Sequence, residues 1–425
     1  MNDKRSQNYI QILRRELVPA LGCTEPIAIA YAAAKAREVL GLFPERMEIR
    51  CSGNIVKNVK AVTVPNSKGL RGIEVAAALG VVGGNAAREL EVLEEITDEH
   101  IEKAKAMIAA GIVQCSLQED VENLYIVASV YAEGHSAEVT LINRHTFITK
   151  ILRDGEVFYR ADLEETSDTG DEWEHWSISG ILDFADTIDI SLVQDVLDRQ
   201  IEMNTAISET GLTMGFGSQV GRTLLDSLGN GVEVRAKAKA AAGSDARMGG
   251  CSLPVVINSG SGNQGMTVSL PVIEYARELN VSQEKLYRAL IVSNLISIYQ
   301  KHFIGSLSAF CGAVTAACGS GAAITYLHGG SYEQICQTIV NTVANVGGIV
   351  CDGAKASCAA KIASSVDAAI MAHHLSMKGL GFHAGEGIVQ KDVDKTIRSV
   401  GHVGCVGMKR TDIEILNIML DKVAL

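Results

Sequence analysis

Residues 303–332 read FIGSLSAFCGAVTAACGSGAAITYLHGGSY, and no Asp, Glu, Lys or Arg occurs between Lys301 and Glu333. A stretch of this length without charge is enough to span a bilayer. Its interior argues the other way, because Gly305, Gly312, Gly319, Gly321, Gly329 and Gly330 break it and Ser and Thr are frequent, unlike a Leu-rich span. The stretch is therefore expected to pack through small residues inside a protein, with a small-residue membrane transporter as the rival reading.

Working outward, the flanking sequence keeps a helical pattern at 191–209, 232–247, 283–299, 332–345 and 352–377, and no strand is visible after residue 176. The N-terminal side differs. Ile10, Leu13 and Leu17 recur at helix spacing, the pattern breaks at 19–24, and a second, alanine-rich helix follows at 27–40. From 46 to 160, β-branched runs at 47–51, 61–64, 124–131, 138–142 and 147–152 predict strands, with hairpin turns at Gly134 and Gly155 and helices at 73–82 and 98–110. Residues 160–175 are acidic and polar, which suits an exposed connection. The expected fold class is α+β: N-terminal helices (1–45) and a mixed α/β domain (46–160) packed on a mainly α-helical C-terminal domain (176–425).

Composition narrows the function. Lys+Arg 38 against Asp+Glu 50 leave a net charge of −12, which removes nucleic acid as an expected partner. The first fifteen residues are polar and charged without an apolar run, so a secretory signal is not expected and a cytoplasmic location is. In a reducing cytosol the ten cysteines are ligands, nucleophiles or packing rather than disulfides.

Seven of those cysteines lie beyond residue 250, and two pairs, Cys311/Cys318 and Cys351/Cys358, are each seven residues apart. Zinc sites normally draw on C-x2-4-C knuckles, and none occurs here. On an ideal helix a seven-residue step puts both thiols on one face about 10.5 Å apart, a gap better suited to a cluster than to one ion. Small-residue packing by buried cysteine is the alternative. Cys23 lies in LGCTEP (21–26), where Thr24 suits an N-cap and Pro26 a first helical turn. A thiol at a helix start has a lowered pKa and can serve as base or nucleophile; a packed turn cysteine is the alternative. The run SGSGNQG (259–265) feeds a helical pattern at 268–278, so its backbone N–H groups could take a carboxylate, with Ser259, Ser261, Asn263 and Gln264 beside it. Asn54, Lys57 and Asn58 after the first long strand, and His145 after a hairpin strand, are further polar candidates that could equally serve turns.

Taken together, GCTEP (22–26), GNIVKN (53–58), SGSGNQG (259–265), LSAFCG (307–312) and CDGAKASC (351–358) resemble the iron–sulfur L-cysteine desulfidases, relatives of the α chain of iron–sulfur L-serine dehydratases. The resemblance runs nearly the full length. It implies a [4Fe–4S] cluster held by Cys311, Cys351 and Cys358 with one iron open to substrate, which would make Cys318 a decoy. It also implies a catalytic Cys23, as base or as a cap on the open iron at rest, and allows Cys405 as another resting ligand. The implied reaction is non-redox β-elimination of L-cysteine to pyruvate, ammonia and hydrogen sulfide. The expected partner is a small amino-acid substrate, with no membrane and with a homodimer as the assembly to consider. L-Serine dehydration and a non-catalytic metal-binding protein are the other readings.

Overall fold

The computed structural model describes residues 4–161, 173, 175–305 and 307–423, so most of the acidic 160–175 connection lies outside the described residues. Helix α1 (Lys4–Glu16) is amphipathic and buries Tyr9, Ile12 and Leu13. A three-residue strand, β1 (Pro19–Leu21), then enters α2 (Thr24–Leu40), whose alanines let it be buried on nearly every side.

The sheet follows. Its elements are β2 (Arg46–Cys51), α3 (Gly53–Val59), α4 (Ile73–Gly83), α5 (Asp98–Ala109), β3 (Val113–Leu117), β4 (Tyr125–Ala132), β5 (His135–Ile142), β6 (Ile148–Arg153) and β7 (Glu156–Arg160). The strand order is β3-β2-β4-β5-β6-β7. Only β2 and β3 run parallel. Parallel neighbours need a long crossover, and α3 to α5 supply it. The two expected hairpin turns are present. Glu133-Gly134 and Asp154-Gly155 each place both central residues at positive φ (50° and 80°, 52° and 80°), as a type I′ turn requires.

The expected strand at 61–64 is corrected: Val62 and Val64 are buried, but the segment makes only a single bridge, Thr63 to Arg71. Its β-branched residues serve burial in a connection rather than a ladder. Strands β3 and β7 were not foreseen. Strand β3 does alternate, with Val113, Cys115 and Leu117 on the more buried face and Gln114 and Ser116 exposed, but over only five residues, whereas β7 is exposed along its whole length and has no buried face to register.

The C-terminal part consists of α6 (Ile178–Thr187), α7 (Gln194–Thr213), α8 (Val220–Leu228), α9 (Val232–Met248), β8 (Pro254–Val256), α10 (Gly262–Glu278), α11 (Gln283–Ile304), α12 (Gly312–Leu327), α13 (Tyr332–Val346), α14 (Cys358–Met377), α15 (Val393–His402) and α16 (Lys409–Met419). The expectation of no strand here is also corrected, since β8 pairs antiparallel with β1. Helix α10 starts six residues earlier than its periodicity indicates, and α14 six residues later.

The uncharged stretch forms α12, buried from Ala313 to Leu327 and packed among α10, α11, α13 and α14. Its small residues permit this enclosure. A Cβ on Gly319 would stand 2.4 Å from the Ser293 carbonyl oxygen of α11, and one on Gly321 would stand 2.9 Å from Ala369 Cβ of α14. Among the described residues no helix is long and apolar enough to cross a membrane. One buried core runs from Tyr9 to Val400, and the fold is α+β as expected.

Candidate active site

Two chain segments distant in sequence are stitched together by one bridge. Phe310 and Val350 pair antiparallel, with Cys311 N–H donating to Ile349 O at 3.0 Å and Cys351 N–H to Ala309 O at 2.6 Å. The bridge sets Cys311 beside Cys351. Cys311 is the N-cap of α12, and Cys358 opens α14 after a loop tied by the Asp352 carboxylate to Lys355 and Lys361. All three thiols line one cavity of about 100 Å³. Burial pushes the Cys311 thiol up, and Cys351 and Cys358 add to it. Burial likewise raises Cys358, with Cys351 contributing, so the three sulfurs lie within electrostatic reach of one another.

Cys318 and Cys336 are elsewhere. Cys318 is fully buried inside α12 with its thiol toward Ile339 O, and Cys336 is half-buried on α13. The idea of two thiols on one helix face therefore applies to neither pair as ligands: Cys351 is in a loop and only Cys358 is helical.

The opposite wall comes from the N-terminus. Cys23 is itself the N-cap of α2, and the Thr24 hydroxyl, instead of capping, donates to Gly260 O at 2.9 Å. That bond ties α2 to the start of α10, which Ser261 caps through Gln264 N–H. Four helix N-termini thus face one cavity, those of α2 at Cys23, α10 at Ser261, α12 at Cys311 and α14 at Cys358. Their summed dipoles favour negative charge there.

The expected lowering of the Cys23 pKa is corrected. Burial and the adjacent Glu25 carboxylate push the thiol well above its usual range, outweighing Arg247. The S–H accordingly donates to Glu25 Oε2 at 2.9 Å. His145 is buried on the same wall, 4.0 Å from Glu25 Oε1, with Nε2 lacking a hydrogen-bond partner; burial holds its imidazole below the usual pKa.

Asn58, Ser259, Ser261, Asn263 and Gln264 line this cavity as well. Asn54 and Lys57 do not. They face an adjoining cavity of about 790 Å³, together with Cys405, which is exposed in the π-helical turn Val403–Gly407. Lys57 still touches the site from behind: its ammonium pairs with Asp412 and reaches Cys351 O at 3.4 Å. Glu25, Arg247 and Lys301 line the thiol cavity without having been singled out in the sequence. Glu25 stood inside a quoted motif, whereas Arg247 and Lys301 sit in ordinary helical patterning that gives no sign of them.

Among the described residues no group of three or more His, Cys, Asp or Glu side chains is arranged to hold a metal ion. The fit to an iron–sulfur cluster rests instead on donor chemistry: three thiols from separate segments open on a shared cavity, with Lys301 and Lys361 close enough to feel Cys311 and Cys351.

The family model described as serine dehydratase alpha chain matches residues 87–417. A UPF0597 protein of Lachnoclostridium phytofermentans is 55% identical over 98% of this chain and 100% of its own length. A second, from Desulfitobacterium hafniense, is 50% identical over 99% of this chain and 98% of its own, and one from Treponema denticola is 47% identical over 99% of each.

Proposed function

The chain belongs to the serine dehydratase alpha-chain family, and from that premise we propose that it is a cytoplasmic iron–sulfur lyase converting L-cysteine and water to pyruvate, ammonia and hydrogen sulfide. The observation that carries the reading is the cavity onto which Cys311, Cys351 and Cys358 open opposite Cys23. Those three thiolates would hold a [4Fe–4S] cluster. When bound, the cluster supplies a Lewis acid, an iron without a protein thiolate that draws charge from the leaving group.

The chain's own residues supply the rest. Elimination removes the Cα proton, so a base must reach it. A protonated thiol cannot accept a proton, and the Cys23 hydrogen bond gives its proton a destination in the Glu25 carboxylate 2.9 Å away. Cys23 and Glu25 therefore act as one proton-accepting unit, Cys23 Sγ facing substrate and Glu25 holding the displaced proton. The four helix N-termini stabilise the negative charge of thiolates and substrate carboxylate together. The elimination has no net redox change, so no electron partner is needed.

The family description favours one second reading, L-serine dehydration in the same cavity with water as the leaving group. Anaerobic purification with iron and acid-labile sulfide analysis, followed by sulfide, pyruvate and ammonia measurement from L-cysteine and L-serine side by side, tests both. Equal sulfide and pyruvate from L-cysteine is expected. Pyruvate from L-serine alone would select the second reading, and a preparation without iron would remove the cluster from both.

A further inference from the structure

The cavity holds a buried cation for which proton removal has no use. Arg247, in the last turn of α9, is 2% exposed and lines the cavity. Its Nε donates to Gly22 O at 2.8 Å. The α10 backbone presses so close that a Cβ on Gly262 would stand 2.4 Å from Nε. Among the described residues no carboxylate pairs with this guanidinium. Asp245, two residues before Arg247, and Glu25, on the same cavity, are committed elsewhere. Asp245 accepts backbone N–H bonds from Ser218 and Gly221 at 3.2 Å each, and Glu25 accepts the thiol hydrogen of Cys23.

Buried charges in folded proteins are paired, because an uncompensated one is strongly destabilising. An unpaired guanidinium on a cavity wall therefore marks where an anion binds. With one N–H spent on Gly22, the remaining fork matches a carboxylate bidentately. A second orphan lies at the start of α10, where Asn263 Oδ1 is buried without a partner. Arginine offers no acceptor, so an ammonium beside the carboxylate needs an oxygen such as this one.

We propose that Arg247 is the carboxylate anchor of this site, with Asn263 Oδ1 the acceptor for the neighbouring ammonium, so that the cavity selects free α-amino acids over amines and esters. The assignment rests on the amino-acid lyase reading above, but not on whether sulfide or water departs. Arg247 touches substrate and sets specificity; it moves no proton.

The test uses anaerobically prepared holoenzyme and calorimetric binding of two thiols that differ in their second group, 3-mercaptopropionate with a carboxylate and cysteamine with an amine. Arg247→Gln should weaken 3-mercaptopropionate about 10- to 100-fold, the range for losing charge-assisted hydrogen bonds, and leave cysteamine within about twofold. Arg247→Lys should recover part of the loss. Unchanged 3-mercaptopropionate binding, or equal loss of both ligands, overturns the assignment, the second because it reports collapse around Gly22. If neither variant folds, the wild-type enzyme decides: L-cysteine methyl ester should show KM raised at least about tenfold over L-cysteine, and equal KM overturns the proposal. Arg247-dependent carboxylate binding without turnover of any amino acid would sink the lyase reading alone.

Discussion

Cys23 Sγ lies 2.9 Å from Glu25 Oε2, both side chains buried, so the thiol proton has one place to go within its own helix turn. The helix-start position of Cys23 attracts negative charge, yet burial and the carboxylate next to it outweigh that attraction. On the proposed reading the pair works as an acid–base unit rather than as an isolated thiolate.

Breaking that unit from either side should have the same consequence. Cys23→Ser and Glu25→Gln are expected to keep iron content and visible absorption while kcat falls about 10²- to 10⁴-fold, the range for losing a general base. Full activity in Glu25→Gln with the cluster intact would mean the proton leaves by another route.

Cys311, Cys351 and Cys358 line the cavity opposite Cys23, and Cys318 and Cys336 do not. Cys311→Ala, Cys351→Ala and Cys358→Ala should each lose visible absorption and acid-labile sulfide, whereas Cys318→Ala and Cys336→Ala should retain both. Anaerobic iron analysis across the five variants checks the assignment, and an intact cluster in Cys351→Ala would break it.

Lys57 is 1% and Asp412 12% exposed in their ion pair, so removing one partner leaves the other's charge buried. Asp412→Ala should cost about 3–5 kcal/mol, and Lys57→Met, which leaves the more exposed partner, should cost less. Chemical denaturation measures both. Because Lys57 also contacts Cys351 O, Asp412→Ala should lose iron faster in air.

Gly319→Ala sets two effects against each other. Helix propensity alone would favour alanine by about 1 kcal/mol. The new Cβ, however, would stand 2.4 Å from the Ser293 carbonyl oxygen, and backbone cannot swing aside. Overpacking of this kind costs about 1–3 kcal/mol, so net destabilisation and a lower Tm are expected. A raised Tm would show that α11 and α12 can separate freely.

His373 supplies the pH dependence. Burial holds its imidazole down to about 3, with His328 and His374 adding to the effect, and Thr325 Oγ1 bonds Nδ1 at 2.9 Å. The unfolded chain binds a proton near the ordinary value of 6.5 that the folded chain refuses, so this contribution to stability is complete above 6.5 and is lost as pH falls toward 3. Thermal unfolding between pH 7 and 4 should show Tm falling. His373→Asn should flatten the slope by up to one proton, and an unchanged slope would assign the effect to other groups.

The parts of the fold that repeat were readable from the sequence, and the parts made by single contacts were not. Alternation marked β2, β4, β5 and β6, and Gly134 and Gly155 marked the hairpins because a turn with two positive φ values leaves few residue choices. Strands β1 and β8, three residues each, are too short for any period to register. At the site, the motifs named the cavity's thiols and the 259–265 turn but not its polarity. Arg247 acquires meaning only because Gly22, 225 residues away, receives its Nε. Cys311 and Cys351 are neighbours only through the Phe310–Val350 bridge, which leaves no local signature.

The Lys57–Asp412 pair also sets a clock on the ribosome. Its two halves are 355 residues apart, which at roughly 5–20 residues per second is on the order of 20–70 s of translation. During that interval the nascent chain carries a lysine destined for burial with no counter-charge yet made. A chain stalled before residue 412 cannot close this contact behind Cys351, so this part of the cavity wall tightens only after Asp412 has been made.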